Sequence, residues 1–352
     1  LTFTEIFPKL IVIFLFSYIL KEDNMFRKIW FLVSLLIIAM LVVAGCGGKT
    51  KPAPTSTAGD KLKVVATIYP IYEFAKQVGG DKIDLAMLIP PGAEPHEWEP
   101  TAKDLIAVKS AKVFLYNGAG FEPVDKLLHK DVLGAASAVE VSQGIPLLSG
   151  IEESDQEEHG HEGHEGHDHD KKDGNHVHQV DPHVWLDPEY AIVEVNNIAR
   201  ALSEADPANS AYFRANADRY NAELTKLHEE FQSGLAAVVK KDIVTTHAAF
   251  QYLAKRYNLQ QTPIMGLAPD AEPTPDKMAS VVKFCREKQV TTIFFEALVS
   301  PKLAETIAKE TGAKLLVLNP IDGLTEEDLK QGRNYLSMMR QNLANLKQAL
   351  SQ

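Results

Sequence analysis

Cysteine is nearly absent from this chain. Two residues in 352, Cys46 and Cys285, cannot build a disulfide framework or a zinc site of four thiolates. Basic charge is also short: 36 Lys and Arg stand against 47 Asp and Glu, a net charge of -11. A phosphate backbone needs a basic face, so nucleic acid is excluded as a partner. Long apolar runs are missing too. The run from Ile29 to Val43 spans 15 residues, short of the roughly 20 that cross a bilayer. What the chain does have is a hydrophobic fraction of 45 %, enough for a packed core. Its length suggests two domains.

The first 45 residues stand apart from the fold. Met25, Phe26, Arg27 and Lys28 make a short basic start, the apolar run follows, and Val43-Ala44-Gly45 leads into Cys46. A basic start, an apolar stretch and small residues before a cleavage point make a secretory signal. Val-Ala-Gly-Cys resembles the lipobox of bacterial lipoproteins, with valine where leucine is usual, so Cys46 is the expected lipidation site. Residues 1–24 carry a second apolar run, Leu10 to Leu20, and read as an upstream extension with Met25 as the initiator. Residues 46–60, small, polar and Pro-containing, read as a flexible tether.

The remainder predicts an α/β fold of two mainly parallel lobes. Residues 61–205 form the first lobe, with strands over Leu62–Ile68, Ile83–Ile89 and Lys112–Tyr116 alternating with helices over Ile71–Val78 and Ala102–Lys109. Residues 241–352 form the second. Its strands are Asp242–Thr246, Val290–Phe295 and Lys314–Leu318, and its helices Ala248–Tyr257, Asp276–Lys288, Pro301–Thr311 and a terminal one over Thr325–Ser351. Cys285 falls in one of these helices and reads as a small buried apolar residue. Residues 206–240 predict one long linking helix, with Asp206 as N-cap and Pro207 at the first position.

Seven of the twelve histidines crowd into residues 152–178: His159, His161, His164, His167, His169, His176 and His178. Gly, Asp and Lys recur there and rule out a packed core, so the segment reads as a loop that binds transition metals weakly. His161-Glu162-Gly163-His164 has the wrong spacing for a metalloprotease helix. Of the other five, His129 and His228 sit in charged helical contexts and read as surface residues. His96 follows a strand, His183 precedes a helix, and His247 ends a strand. Ligands in α/β sheets bind beyond the carboxyl ends of strands, which makes these three the candidates for one metal site.

Four segments, PPGAEPHEWEPT, DPHVWLDP, VTTHAAFQYLAKRY and FFEALVSPKLAETIAKETGAKLLVLNPIDGL, occur in an order that resembles the metal-binding lipoproteins of bacterial ABC importers. These are the solute-binding proteins that carry zinc or manganese, and the resemblance runs from Leu62 to the C-terminus. It implies two lobes joined by a long helix, with the metal in the cleft between them. It also implies His96, His183 and His247 as ligands, histidine at the third position resembling the zinc branch. For the fourth ligand the resemblance implies Asp322, Glu296 or water, with Glu296 alternatively fixing a ligand imidazole from behind. Three imidazoles and a carboxylate independently suit tetrahedral zinc, whereas manganese prefers more oxygens. The expected protein is therefore a monomeric zinc-binding lipoprotein, not an enzyme. It would be held outside the cytoplasmic membrane by lipid on Cys46 and would deliver zinc to an ABC permease, its His-rich loop collecting zinc. Competing readings are a manganese carrier of the same class, a zinc hydrolase and an adhesin.

Overall fold

The computed structural model describes residues 61–150, 180–269 and 273–351. The signal segment, Cys46, the tether and the seven clustered histidines lie outside these residues.

The first lobe starts with β1 (Leu62–Ala66), α1 (Tyr69–Gly79), β2 (Ile83–Met87), α2 (Ala102–Ser110) and β3 (Val113–Tyr116). Two single-turn helices, α3 (Val124–Leu127) and α4 (Lys130–Leu133), lead to β4 (Ser137–Glu140). Helices α5 (Pro188–Ala205) and α6 (Ser210–Ala236) follow. The second lobe comprises β5 (Asp242–Thr245), α7 (Gln251–Arg256), β6 (Gln260–Pro263), α8 (Pro275–Glu287), β7 (Thr292–Phe295), α9 (Lys302–Thr311) and β8 (Lys314–Val317). It ends in α10 (Glu326–Lys330) and α11 (Tyr335–Leu350).

Both sheets are parallel throughout and share one order, β2-β1-β3-β4 in the first and β6-β5-β7-β8 in the second. Each is covered on both faces, as parallel sheets require. Along β1, Val64 and Ala66 face a large core that includes α1, α5, α6 and α11, while Val65 faces the α2 side with Phe114. In β5 and β7, Ile243 and Phe294 turn toward the same large core, and Val244 and Ile293 pack under α8 and α9 with Cys285. The period of two along each strand thus assigns every buried side chain to one layer or the other.

Strands β4 and β6, at sheet edges, had no counterpart among the strands read from sequence. An edge strand has one neighbour and needs no apolar run; Gln260, Gln261 and Ser137 show as much, and Pro263 is tolerated there. Two helix expectations also change. Asp206 does not cap the long helix. Its carboxylate accepts from Asn209 Nδ2 (2.6 Å), Pro207–Asn209 forms a 3₁₀ turn, and α6 starts at Ser210. The terminal helix is two helices. Thr325 caps the first, exchanging hydrogen bonds with Asp328 in a capping box. Gly332, at φ 65°, then turns the chain, and Asn334 starts the second by accepting from Ser337 N.

With 27 residues, α6 is about 40 Å long and packs on both lobes. Near its N-terminus Asn216 Nδ2 donates to Val78 O (2.9 Å) and Phe213 is buried. Near its C-terminus Phe231 stacks on Tyr257 with centroids 5.1 Å apart, and Glu230 accepts two bonds from Arg340 (2.7 and 3.1 Å). Phe213→Ala and Phe231→Ala should each destabilise the protein by about 3–5 kcal/mol, the usual loss for a buried Phe. Urea unfolding checks this; a loss under about 1 kcal/mol at either position would show that α6 is not packed in the core there.

Candidate metal centre

The carboxyl ends of the two sheets supply the site. His96 lies in a 3₁₀ turn after β2, where Pro95 starts the turn and Glu94 caps it, accepting from His96 N (3.2 Å). His183 precedes the turn Val184–Leu186 that feeds α5. His247 follows β5, its carbonyl accepting from Thr245 Oγ1 (2.8 Å) and Gln261 Nε2 (2.9 Å). Asp322 sits in the loop after β8, its Oδ1 accepting from Gly323 N (2.8 Å). One donor atom from each of these four residues lies within 4.8 Å of the others.

The imidazoles converge through Nε2. His183 Nε2 is 3.2 Å from His96 Nε2 and 3.4 Å from His247 Nε2, and Asp322 Oδ2 is 3.9 Å from His96 Nε2. A tetrahedral zinc with bonds of about 2.0–2.1 Å sets its ligand nitrogens about 3.3–3.4 Å apart. The imidazole spacing matches that edge; the carboxylate stands slightly wide of it.

Two of the rings are fixed from behind. His183 Nδ1 lies 2.8 Å from Asp181 Oδ1, which also accepts from His183 N (2.9 Å). His247 Nδ1 lies 2.7 Å from Glu296 Oε2, and Glu296 Oε1 accepts from His247 N (3.2 Å) and from Thr246 Oγ1. A carboxylate at Nδ1 holds the proton there and leaves the Nε2 lone pair facing inward. Glu296 thus stands behind His247, and Asp322 is the carboxylate that faces the three rings.

Aromatic side chains wall the site. Phe121 lies 4.8 Å from the His96 ring and Trp185 5.3 Å from the His183 ring. Glu122 places Phe121: its buried carboxylate accepts from Thr67 Oγ1 (2.6 Å), Asn117 N (2.6 Å) and Gly118 N (2.9 Å), tying the ends of β1 and β3 together. Asp181, Glu94, Phe121 and Trp185 were not singled out from sequence. Asp181 and Glu94 each left a signal there, a carboxylate two residues before a histidine, in Asp181-Pro182-His183 and Glu94-Pro95-His96. His129 is exposed and His228 is not the surface residue expected. It is half-buried, with Nδ1 3.2 Å from Tyr257 Oη, and neither belongs to the four-residue group.

Burial shapes the charge. Desolvation, then the neighbouring imidazoles His183 and His247, push His96 down to about 2. Burial likewise holds His183 well below the ordinary range. Burial lowers His247 as well, but Glu296, Asp322 and Glu94 outweigh it and the net shift is upward. Burial pushes Asp322 up to about 8, with Glu94 and Glu296 adding to it and His247 opposing. Burial also raises Glu296, but His247 and the hydrogen bonds of Thr246 bring it below the usual carboxylate range. These shifts favour a protonated His247 beside an ionised Glu296. A metal held by these four residues would compete with protons on His247 and Asp322, so its affinity would rise with pH. Ring ¹⁵N spectra of the metal-free protein should show His96 and His183 neutral from pH 8 down to about pH 5, while His247 gains a proton as pH falls. A midpoint near pH 6.5 for His96 or His183 would contradict this charge distribution.

The chain belongs to the family described as "Zinc-uptake complex component A periplasmic", which it matches over residues 64–349. It is 42 % identical over 327 residues to the high-affinity zinc uptake system protein ZnuA of Bacillus subtilis, covering 93 % of this chain and 99 % of that one. It is 39 % identical over 323 residues to the zinc-binding lipoprotein AdcA of Streptococcus pneumoniae, covering 91 % of this chain but 61 % of AdcA. Among solved structures it is similar to the Zn(II)-bound ZnuA-like domain of that AdcA, with a TM-score of 0.68 and 38 % identity over 83 % of this chain and all of that domain. The family is one of solute-binding transport components.

Proposed function

We propose that this protein captures zinc outside the cytoplasmic membrane and hands it to an ABC permease, with His96, His183, His247 and Asp322 as the ligands. The observation that carries the reading is the convergence of three imidazole Nε2 atoms at 3.2 and 3.4 Å, the edge length of a tetrahedral zinc site. Two of those rings carry the Nδ1 carboxylates that typically support zinc-bound histidine. The names of the relatives point to the same metal. Manganese, the alternative cargo, favours oxygen donors and higher coordination.

Nothing in this reading calls for catalysis. A zinc hydrolase keeps one coordination position for water and a base beside it. In this reading Asp322 is the fourth ligand, and Glu296 is engaged by His247 rather than free to act as a base. Anchoring by lipid on Cys46 is part of the proposal and rests on the Val-Ala-Gly-Cys motif.

Equilibrating the protein with equal zinc and manganese, then measuring bound metal, tests the cargo. Zinc should dominate by orders of magnitude, and His247→Ala should lose that binding while His129→Ala keeps it. Preferential manganese, or equal affinity in both variants, would sink the assignment. The seven clustered histidines are proposed as weak auxiliary sites that raise local zinc. Deleting residues 153–179 should then leave one tight site and lower the total zinc bound. If the tight site disappears with the segment, the four-ligand assignment is wrong.

A further inference from the structure

Asp322 is held in place by the opposite lobe. The loop 319–324 belongs to the second lobe, yet three hydrogen bonds reach it from the first. Trp185 Nε1 donates to Pro320 O (2.7 Å), Tyr69 N to Asp322 O (3.3 Å) and Gly92 N to Leu324 O (2.7 Å). Among the described residues, the side-chain hydrogen bonds that its own lobe makes to the loop fall at its start, where Asn319 N donates to Asn342 Oδ1 (2.9 Å) and Asn319 O accepts from Asn342 Nδ2 (2.7 Å).

The residue between Pro320 and Asp322 is in a conformation it does not favour. Ile321 has φ 61°, the left-handed region, which is an outlier for a β-branched residue. Strained positions persist only where the surroundings over-determine them. Ile321 is fully buried in the core that both lobes share, and its N–H donates to Asn319 Oδ1 (2.7 Å). The bond from Trp185 falls on the carbonyl directly before this residue and so bears on the peptide whose rotation sets φ of Ile321. Trp185 is itself rigid: it is fully buried, its ring packs edge-on to Phe121 at 5.7 Å, and its carbonyl accepts from Tyr335 Oη (2.6 Å).

We infer that Trp185 is a positioning residue for the carboxylate of Asp322, acting through the Trp185 Nε1–Pro320 O bond that holds the loop in its left-handed turn. The inference rests on the proposed role of Asp322 as a ligand. It makes the fourth ligand conditional on the lobes being together, because the indole comes from one lobe and the carboxylate from the other. Loss of that one bond frees a peptide that would otherwise relax out of the left-handed region and carry Asp322 away from the imidazoles.

The test is a double-mutant cycle on zinc dissociation, read with a fluorescent chelator, using Trp185→Phe and Asp322→Ala singly and together. Trp185→Phe keeps an aromatic ring and removes the N–H. Leaving a buried carbonyl without its donor should speed zinc release by about tenfold. Asp322→Ala alone should speed release strongly, and adding Trp185→Phe to it should change the rate less than about twofold, since the indole then has no ligand to position. If Trp185→Phe costs the same tenfold in both backgrounds, Trp185 acts through neighbouring His183 or through the fold, and this inference falls while the ligand assignment stands. No effect of Trp185→Phe alone also overturns it. If Asp322→Ala leaves release unchanged, the ligand assignment and this inference fall together. Should Trp185→Phe fold poorly, benzothienylalanine at position 185 replaces the indole N–H with sulfur at nearly constant shape, and the same cycle applies.

Discussion

The site depends on two buried carboxylates that grip imidazoles by their outer nitrogens. Asp181 and Glu296 hold the Nδ1 atoms of His183 and His247, and so turn two Nε2 lone pairs toward each other at 3.4 Å. Facing acceptors repel unless a proton or a cation lies between them. Burial, and then the charge of neighbouring imidazoles, keeps His96 and His183 from taking up that proton, whereas Glu296 favours protonation of His247. A divalent cation resolves the same conflict for all three rings at once. His96 differs from the other two: among the described residues no carboxylate stands behind it, and its ring rests on Phe121. It is also the least buried of the four candidate ligands.

The frame around the site explains why these residues meet. Two sheets of identical order present their carboxyl ends to one another, and His96, His247, Glu296 and Asp322 all lie just beyond strands. Helix α6 packs on both lobes, with Phe213 and Phe231 buried in one continuous core. A wide hinge opening would have to divide that core. The contacts across the mouth are of another kind: single hydrogen bonds, such as Gly92 N to Leu324 O and Tyr69 N to Asp322 O.

Much of this was legible in the sequence, and the parts that were not have physical reasons. Buried central strands such as Val64-Val65 and Ile293-Phe294 announce themselves because both faces need apolar side chains. The edge strands β4 and β6 lack that requirement. The histidines were singled out by their places at junctions: His96 after a strand, His183 before a helix and His247 at a strand's end. Asp322 was preferred over Glu296 from sequence, but the residues alone gave little to divide them, since each is an acid just beyond a strand of the same sheet. What distinguishes them is direction: Glu296 follows β7 immediately and meets His247 Nδ1, whereas Asp322 is carried inward by the left-handed turn at Ile321. A β-branched residue at positive φ contradicts local preference, so no pattern could foretell it. Gly332 and Asn334 are the opposite case: their turn and cap were in the sequence, but the apolar spacing on either side read as one helix.

The same direction bears on which metal the site would prefer. Asp322 Oδ1 accepts from Gly323 N, and Oδ2 lies 3.9 Å from His96 Nε2, so Oδ2 is the oxygen less engaged elsewhere. Glu94, a further acid near the site, has Oε1 turned to His96 N. Three nitrogens and one oxygen satisfy a four-coordinate ion, while a metal that favours six oxygen-rich contacts finds no further donors in the group. Selectivity in this arrangement would come from donors withheld as much as from donors supplied. The backbone N–H groups of His96 and Gly323 that engage these carboxylates would then shape the choice of metal without touching it.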